Sequence, residues 1–512
     1  MTDEVTGEKT GEKTGEPVTP VVIVGAGPCG LALACALLQQ DVPVRVLDAA
    51  ERRAGGSRAV LLWPPALEVF ASLGVRDLAS ERGLPVSALT YHLTGGTRLR
   101  SALGDANAAL LLPQEETARL LEERLHELGG RVEWSTRVTG VHPADDGVTV
   151  DAEGPDGVPF HVTADWLVGA DGVRSTVRDL LGVTFNGGSV PGRYLVTEGE
   201  IEGSYERGVV HYFLRSTGSM VFAPLRGGTV RIGAPVDEDT PLTERTVQRL
   251  LDERGPGGLR IGRLGAVTTF ASQERVAERF RIGRCFLVGD AAHTHSPIGG
   301  QGLNLGLQDV HNLAWKLGGV IGGRLSAVVL DTYGTERRQA AEQVVGNTRR
   351  AARMFLLGPV GARLRNAGWR LLEAGGVLRR WFTPLLAGRR MRYTTPLLPA
   401  TAAEAGGTRP AATSLRARLL PAPGTRGPAW LPGPLTGAPQ FRLLTLGAAA
   451  SEVRRGAREL SDRHAPLVRH DHTASRARTG FVLLRPDGFV AASGDGLEAL
   501  GRVDALLSGL RR

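Results

Sequence analysis

The stretch "VVIVGAGPCGLALACALLQQDVPVRVLD", residues 21–48, decides the fold of this 512-residue chain. Its first four residues are apolar and mostly β-branched, as in a strand buried on both faces of a parallel sheet. "LALACALLQQ" has helical composition and "PVRVLD" returns to strand, so the unit reads βαβ. Gly25, Gly27 and Gly30 stand between strand and helix with GxGxxG spacing. Gly25 permits the tight turn, Gly27 lets the backbone approach a pyrophosphate, and Gly30 lets the helix pack close to the strand. The helix N-terminus offers free N–H groups and partial positive charge to phosphate oxygens. Asp48 ends the second strand, 18 residues after Gly30. A carboxylate there accepts hydrogen bonds from ribose hydroxyls and repels a 2′-phosphate, so FAD or NAD fits this pocket and NADP does not.

Outward from this unit, residues 1–18 carry TGEK twice and then TGEP, with nothing to bury, and are expected to form a disordered tail. "ETARLLEERLHELG" reads as an amphipathic helix ending at glycine, and "RVEWSTRVTGVHPADDGVTVDAEG" as strands with turns. From about 185 to 275 the texture changes to antiparallel strands with one wet face, a separate sheet layer. A long helical region follows from Gly302 through the 380s. Residues 400–440 are rich in Pro, Gly, Ala and Thr, as a linker would be, and the last 75 or so alternate helix and strand.

The formal charge of +8 raises a nucleic-acid partner, but lysine occurs only at 9, 13 and 316, and the arginines between Arg349 and Arg392 are interrupted by leucine, glycine and tryptophan. Solvated helix faces explain that pattern better than a polyanion site. The three cysteines, Cys29, Cys35 and Cys285, lie in apolar runs with no metal or redox spacing, which fits buried thiols in a reducing compartment. No signal-peptide pattern or bilayer-length apolar run is present, so a cytoplasmic protein without membrane or nucleic-acid partners is expected.

Two further strands deliver acids to turns. "DWLVGADGVRSTVRDLLG" brings Asp171 and Gly172 to a turn, with Arg174, Ser175 and Arg178 following at a helix start. By residue chemistry alone this could be a capped helix with basic solvent-facing residues. "RCFLVGDAAHTHSPIGGQGLN" ends a buried strand at Gly289-Asp290, where α/β folds place ligand contacts. Leu303, Leu307, Val310, Ala314 and Leu317 then form the core stripe of a helix opening at Gly302. His293 and His295 lack a third ligand in metal spacing; loop hydrogen bonding is their expected use, a general-base role the alternative, and no metal site is expected.

Together these segments resemble the class A FAD-dependent aromatic hydroxylases, the flavoprotein monooxygenases, with greatest likeness to the aromatic polyketide and phenol hydroxylase subgroup. "QDVHNLAWKL" and "YGTERR" continue the likeness, which covers roughly residues 20–395. It implies an α/β fold: a Rossmann-like FAD-binding domain (19–184 and 276–395), an inserted antiparallel-sheet substrate domain (185–275), and a linker with a C-terminal thioredoxin-like domain (396–512). That last domain has no cysteine, so packing or assembly is its expected role. The resemblance implies FAD contacts from Gly25, Gly27, Gly30, Asp48, Arg58, Gln114, Asp171, Gly172 and Asp290. It also implies them from Pro297, Gly299, Gly300, Gln301, Gly302, Leu303 and Asn304, with backbone groups of the glycine loop reaching the isoalloxazine ring. Arg174 and Arg178 would meet a transient NADPH or NADH. Ser296 stands where the family often has a second proline beside Pro297, Pro65-Ala66 where it often has Arg-Thr, and Ala118 where an acid is common.

The implied activity is hydroxylation of a polycyclic aromatic, polyketide-type substrate with O2, through a flavin C4a-hydroperoxide, in antibiotic or secondary-metabolite biosynthesis. No side chain is assigned as the catalytic base; Pro297 and Ser296 are the candidates beside the reactive face. Tyr212, Phe213, Met220, Phe222 and Pro224 are candidate substrate-lining residues, although alternate members of a strand are more often plain core. Baeyer–Villiger insertion or epoxidation on the same scaffold stays open, as does an oxygen-independent reductase, and so does a monomer or a homodimer. A flavin halogenase is disfavoured, because the GxWxWxIP signature is absent from all seven tryptophan contexts.

Overall fold

A computed structural model describes residues 19–53, 60–215, 217–297, 299–355, 357, 359–394, 419–431 and 438–511. The expected tail, Arg58 and most of the expected linker lie outside the described residues.

The opening stretch folds as read. Strand Thr19–Val24 leads through the glycine turn into helix Pro28–Leu38 and strand Val44–Leu47. Proline at the start of the helix lacks the N–H that would be unpaired there anyway. The strand residues Val21, Val22 and Ile23 are fully buried, as are Leu31 to Cys35 on the helix. Strand Thr19–Val24 pairs in parallel with Val44–Leu47 on one side and Pro159–Gly169 on the other, and the latter pairs in parallel with Cys285–Leu287. The register matches Val24 with Leu47 and Gly169, and Gly169 with Leu287. Gly25, Asp48, Ala170 and Val288 therefore emerge side by side at the carboxyl edge of one sheet. Strands Arg137–Pro143 and Val148–Glu153 extend this eight-stranded sheet in antiparallel fashion.

The second sheet has nine strands, built around Phe185–Glu202, Val209–Arg215, Gly218–Pro224, Thr229–Val236 and Thr268–Ala277. It reaches beyond the expected 185–275 insert. Ala88–Leu93 and Arg98–Ala102 join one edge through a parallel pairing with Val209–Arg215, and His293–Thr294 joins the other. A short three-stranded sheet, Leu61–Leu62, Leu84–Val86 and Ala109–Leu111, bridges the two layers.

Helix Gly302–Ile321 is buried nearly all round, because it packs on Pro28–Leu38 and Pro64–Ser72 while meeting Asp331–Phe355 and the C-terminal domain. Leu307, Val310, Ala314 and Leu317 are buried as read; Leu303 is half-buried. The C-terminal sheet runs Val468–Thr473, Phe441–Leu446, Gly480–Leu484, Val490–Gly494, with one parallel pair and two antiparallel ones. Helices Ser451–Arg463 and Leu497–Leu510 pack with it to form a small α/β domain. No described helix is long and apolar enough to cross a membrane.

Candidate active site

A cleft of about 630 Å³ lies along the carboxyl edge of the parallel sheet. It is lined by Gly25, Gly27, Asp48, Gln114, Asp171, Gly172 and Arg174, which the sequence places in three separate segments. The glycines differ in what surrounds them. A methyl carbon on Gly30 would stand 1.9 Å from the Gly25 carbonyl oxygen, and one on Gly25 would stand 2.5 Å from that of Ala170. A methyl carbon on Gly27 meets nothing within 4 Å and projects into open cleft. Gly25 and Gly30 thus serve internal packing, while the bare backbone at Gly27 faces the open cleft.

Asp48 braces this turn before it meets any ribose. Its Oδ2 accepts the Ala26 N–H at 2.7 Å and its Oδ1 accepts the Ala50 N–H at 2.8 Å. A carboxylate has about four acceptor sites, so capacity for ribose hydroxyls remains. Gln114 and Glu115 open helix Gln114–Glu127 against the cleft wall.

Asp171 is likewise held from behind: its Oδ1 accepts from Ser175 Oγ at 2.6 Å and its Oδ2 from the Val177 N–H at 3.0 Å. Burial pushes its carboxyl above the ordinary range, opposed by those hydrogen bonds. Ser175 caps helix Thr176–Leu180 by accepting from the Arg178 N–H. The two arginines separate here. Arg174 is exposed at the cleft, as a nucleotide contact requires. Arg178 is 5% exposed and points inward: it donates to the carbonyls of Val173 and Ala291, pairs with Asp179 and sits 4.2 Å over the Phe185 ring. The expected nucleotide contact from Arg178 is corrected to a bracing role, since its short helix turns that face into the molecule.

The third segment forms a tight turn at Gly289–Ala291 with Gly289 at φ +61°. Gly289 is buried and Asp290 exposed, so the carboxylate projects from a fixed base. His293 binds the buried carboxylate of Asp309 at 2.6 Å, and His295 Nδ1 donates to the Ser296 carbonyl at 2.8 Å. Both hold the loop, the use expected of them. Burial pushes the His295 imidazole below its ordinary range. Ser296 is buried beside half-buried Pro297.

Gly299 and Gly300 adopt φ of +82° and +62°, the left-handed region that glycine enters without cost. Asn304 fixes this loop: its Oδ1 accepts the Trp63 N–H, and its Nδ2 donates to the carbonyls of Leu61 and Gly300, all at 2.7 Å. Trp63 Nε1 donates to the Gly299 carbonyl at 3.0 Å, and Gln301 donates to the Leu386 carbonyl. Sequence reading missed Trp63; its only signal was a lone tryptophan before Pro64.

The nine-stranded sheet turns one face to this loop. Val210, Tyr212, Leu214, Ala223, Leu89 and Tyr91 share a core with Leu61 and Trp63. Tyr91 stacks on Tyr212 at 5.2 Å and meets Trp369 edge-on at 5.4 Å. Tyr194, Phe270 and the Arg231–Glu198 ion pair share Tyr212's side of the sheet by strand register. Phe213, Met220 and Phe222 take the opposite side and pack with Val247, Leu250 and Leu251 of helix Glu244–Arg254. Pro224 shares their parity. Of the five expected substrate-lining residues only Tyr212 faces the loop, because side chains alternate with period two.

The family described as FAD binding domain matches residues 18–348. The chain is 33% identical over 514 residues to 6-methylpretetramide 4-monooxygenase of Streptomyces rimosus, covering 93% of this chain and 90% of that protein. It is 35% identical to a rifampicin monooxygenase of Streptomyces venezuelae, covering 73% and 79%. Among solved structures, the OxyS anhydrotetracycline hydroxylase of Streptomyces rimosus superposes with a TM-score of 0.71 at 29% identity, over 96% of this chain and 99% of that one. CabE, an aromatic hydroxylase from angucycline biosynthesis, gives 0.71 at 29% identity over 97% and 100%. With the glycine cradle open at Gly27 and the strand-end acids Asp48 and Asp171 lining one cleft, the chain belongs to the class A FAD-dependent aromatic hydroxylases and is a flavoprotein monooxygenase.

Proposed function

We propose that this enzyme uses NADPH or NADH and O2 to hydroxylate a polycyclic aromatic substrate of the polyketide type, in secondary-metabolite biosynthesis. The observation that carries the reading is the loop-facing side of the nine-stranded sheet. Tyr194 and Phe270 offer half-buried aromatic surface there, backed by buried Tyr91 and Tyr212, and Arg231 with Glu198 offers a polar anchor. Extended fused rings suit such a wall, because aromatic faces stack with little loss of conformational freedom. Relatives named for tetracycline-type and rifampicin substrates support the same class.

FAD would lie along the cleft, its pyrophosphate over Gly27 and the helix N-terminus, its ribose and ribityl hydroxyls toward Asp48 and Asp290. Bound flavin supplies the redox and oxygen chemistry; the protein's residues bind, orient and exclude water. Arg174 would meet the visiting nicotinamide nucleotide. The loop Gly299–Asn304, fixed by Trp63 and Asn304, would present backbone groups to the ring. Buried Ser296 and half-buried Pro297 would limit water beside it.

Incubation with NADPH or NADH, labelled dioxygen and a panel of polycyclic phenols and quinones tests this. One labelled oxygen atom in the product is expected. Equal substrate turnover without oxygen would overturn it in favour of a reductase, and carbon-skeleton analysis of the product separates hydroxylation from ring insertion.

A further inference from the structure

We propose that the cysteine-free C-terminal domain is a positioning element of the flavin site, with Arg485 acting through Tyr393, Arg337 and Asp309 on the Gly289–Asp290 turn. The inference rests on the assignment of that turn to FAD.

The connection is continuous and buried. Arg485, in the C-terminal domain, donates to both oxygens of Glu336 at 2.6 and 2.8 Å and to Asp487 at 3.0 and 2.5 Å. Its guanidinium lies 5.6 Å from the Tyr393 ring, which stacks on Phe489 of the same domain at 4.2 Å. The Tyr393 hydroxyl accepts from Arg337 Nη1 at 2.9 Å, and Arg337 Nε donates to Asp309 Oδ1 at 2.7 Å. Asp309 Oδ2 accepts the Gly289 N–H at 3.0 Å and binds His293 at 2.6 Å. Glu336 and Arg337 are neighbours on one helix, so the C-terminal domain grips that helix directly and through Tyr393.

The charges close as well. Lys316, Arg337 and Arg485 face Asp309, Glu336 and Asp487, with Asn312 bridging Glu336 and Asp487. Five of these six charged side chains are wholly buried and Asp487 is nearly so. A set so enclosed holds a single arrangement, because any displaced member leaves an unpaired charge away from water. The turn presenting Asp290 is therefore fixed by a path whose far end lies outside the FAD-binding domain.

A double-mutant cycle on the full chain tests this, reading FAD affinity by flavin fluorescence and the bound flavin's visible circular dichroism. Tyr393→Phe removes one hydroxyl and keeps the packing. It should weaken FAD about fivefold and alter the dichroism, as a coupling between distinct sites does. Asp309→Asn should weaken FAD further, and the double variant should be no worse than Asp309→Asn alone. Arg485→Met should behave as Tyr393→Phe does; should it fail to fold, Tyr393→Phe carries the test. Arg442→Met, which breaks the Arg442–Asp471 pair inside the same domain, should leave FAD affinity unchanged. Wild-type affinity and dichroism in Tyr393→Phe, or strict additivity in the double variant, would overturn the proposal. Asp290→Ala, measured alongside, reports separately whether the turn binds FAD.

Discussion

Gly27 and Gly30, three residues apart, have opposite structural reasons for lacking a side chain. Gly30→Ala would force its methyl group into the Gly25 carbonyl, so the variant should lose the fold of the first turn and much thermal stability. Gly27→Ala meets open space; the apo-chain should melt as wild type does while FAD affinity falls at least tenfold, about 1.4 kcal/mol. Equal melting temperatures for the two variants would contradict this division. Asp290→Ala should purify without flavin, and full yellow occupancy would remove Asp290 from the site. The glycine spacing was legible in sequence because backbone turns impose it locally. The inward turn of Arg178 was not, because a helix of five residues shows no periodicity from which to read its buried face.

Strands were legible as elements, but their faces were not. Alternation shows that Tyr212 and Phe213 point to opposite sides; only the packed layers decide which side meets the Gly299–Asn304 loop. Tyr212→Ala should raise KM for the aromatic substrate severalfold with little change in kcat for what still binds. Phe213→Leu should cost roughly 1 kcal/mol of stability and leave KM unchanged. The reverse pattern in steady-state kinetics would exchange the two faces. The strand pairing Ala88–Leu93 with Val209–Arg215 was equally hidden, since partners more than a hundred residues apart leave no local signature.

At the scale of the whole molecule, the contact between the FAD-binding and C-terminal domains makes stability depend on acid. Burial pushes the His311 imidazole down to about 4; Asp487 opposes this and Arg426 adds to it. Between pH 6.5 and 4 the unfolded chain binds a proton there that the folded chain refuses, so stability falls as pH drops through that window. Burial pushes the Asp487 carboxyl up, but Arg485, Lys316 and His311 together outweigh that and hold it at about 2, so its contribution is present above pH 4 and lost as pH falls further. The melting temperature should decline in both legs, and His311→Gln should flatten the first; identical profiles for the two proteins would refute this account. Most of the participants lie in two stretches read only as family likeness, "QDVHNLAWKL" and "YGTERR". The sequence by itself determined the glycine turn and the strand-end acids, because turn geometry and burial periodicity act over a few residues. Only the tertiary structure decided which sheet face meets the Gly299–Asn304 loop, which arginine reaches the cleft, and that buried contacts link the C-terminal domain to the Gly289–Asp290 turn. Those outcomes follow from long-range packing and from the need to pair every buried charge.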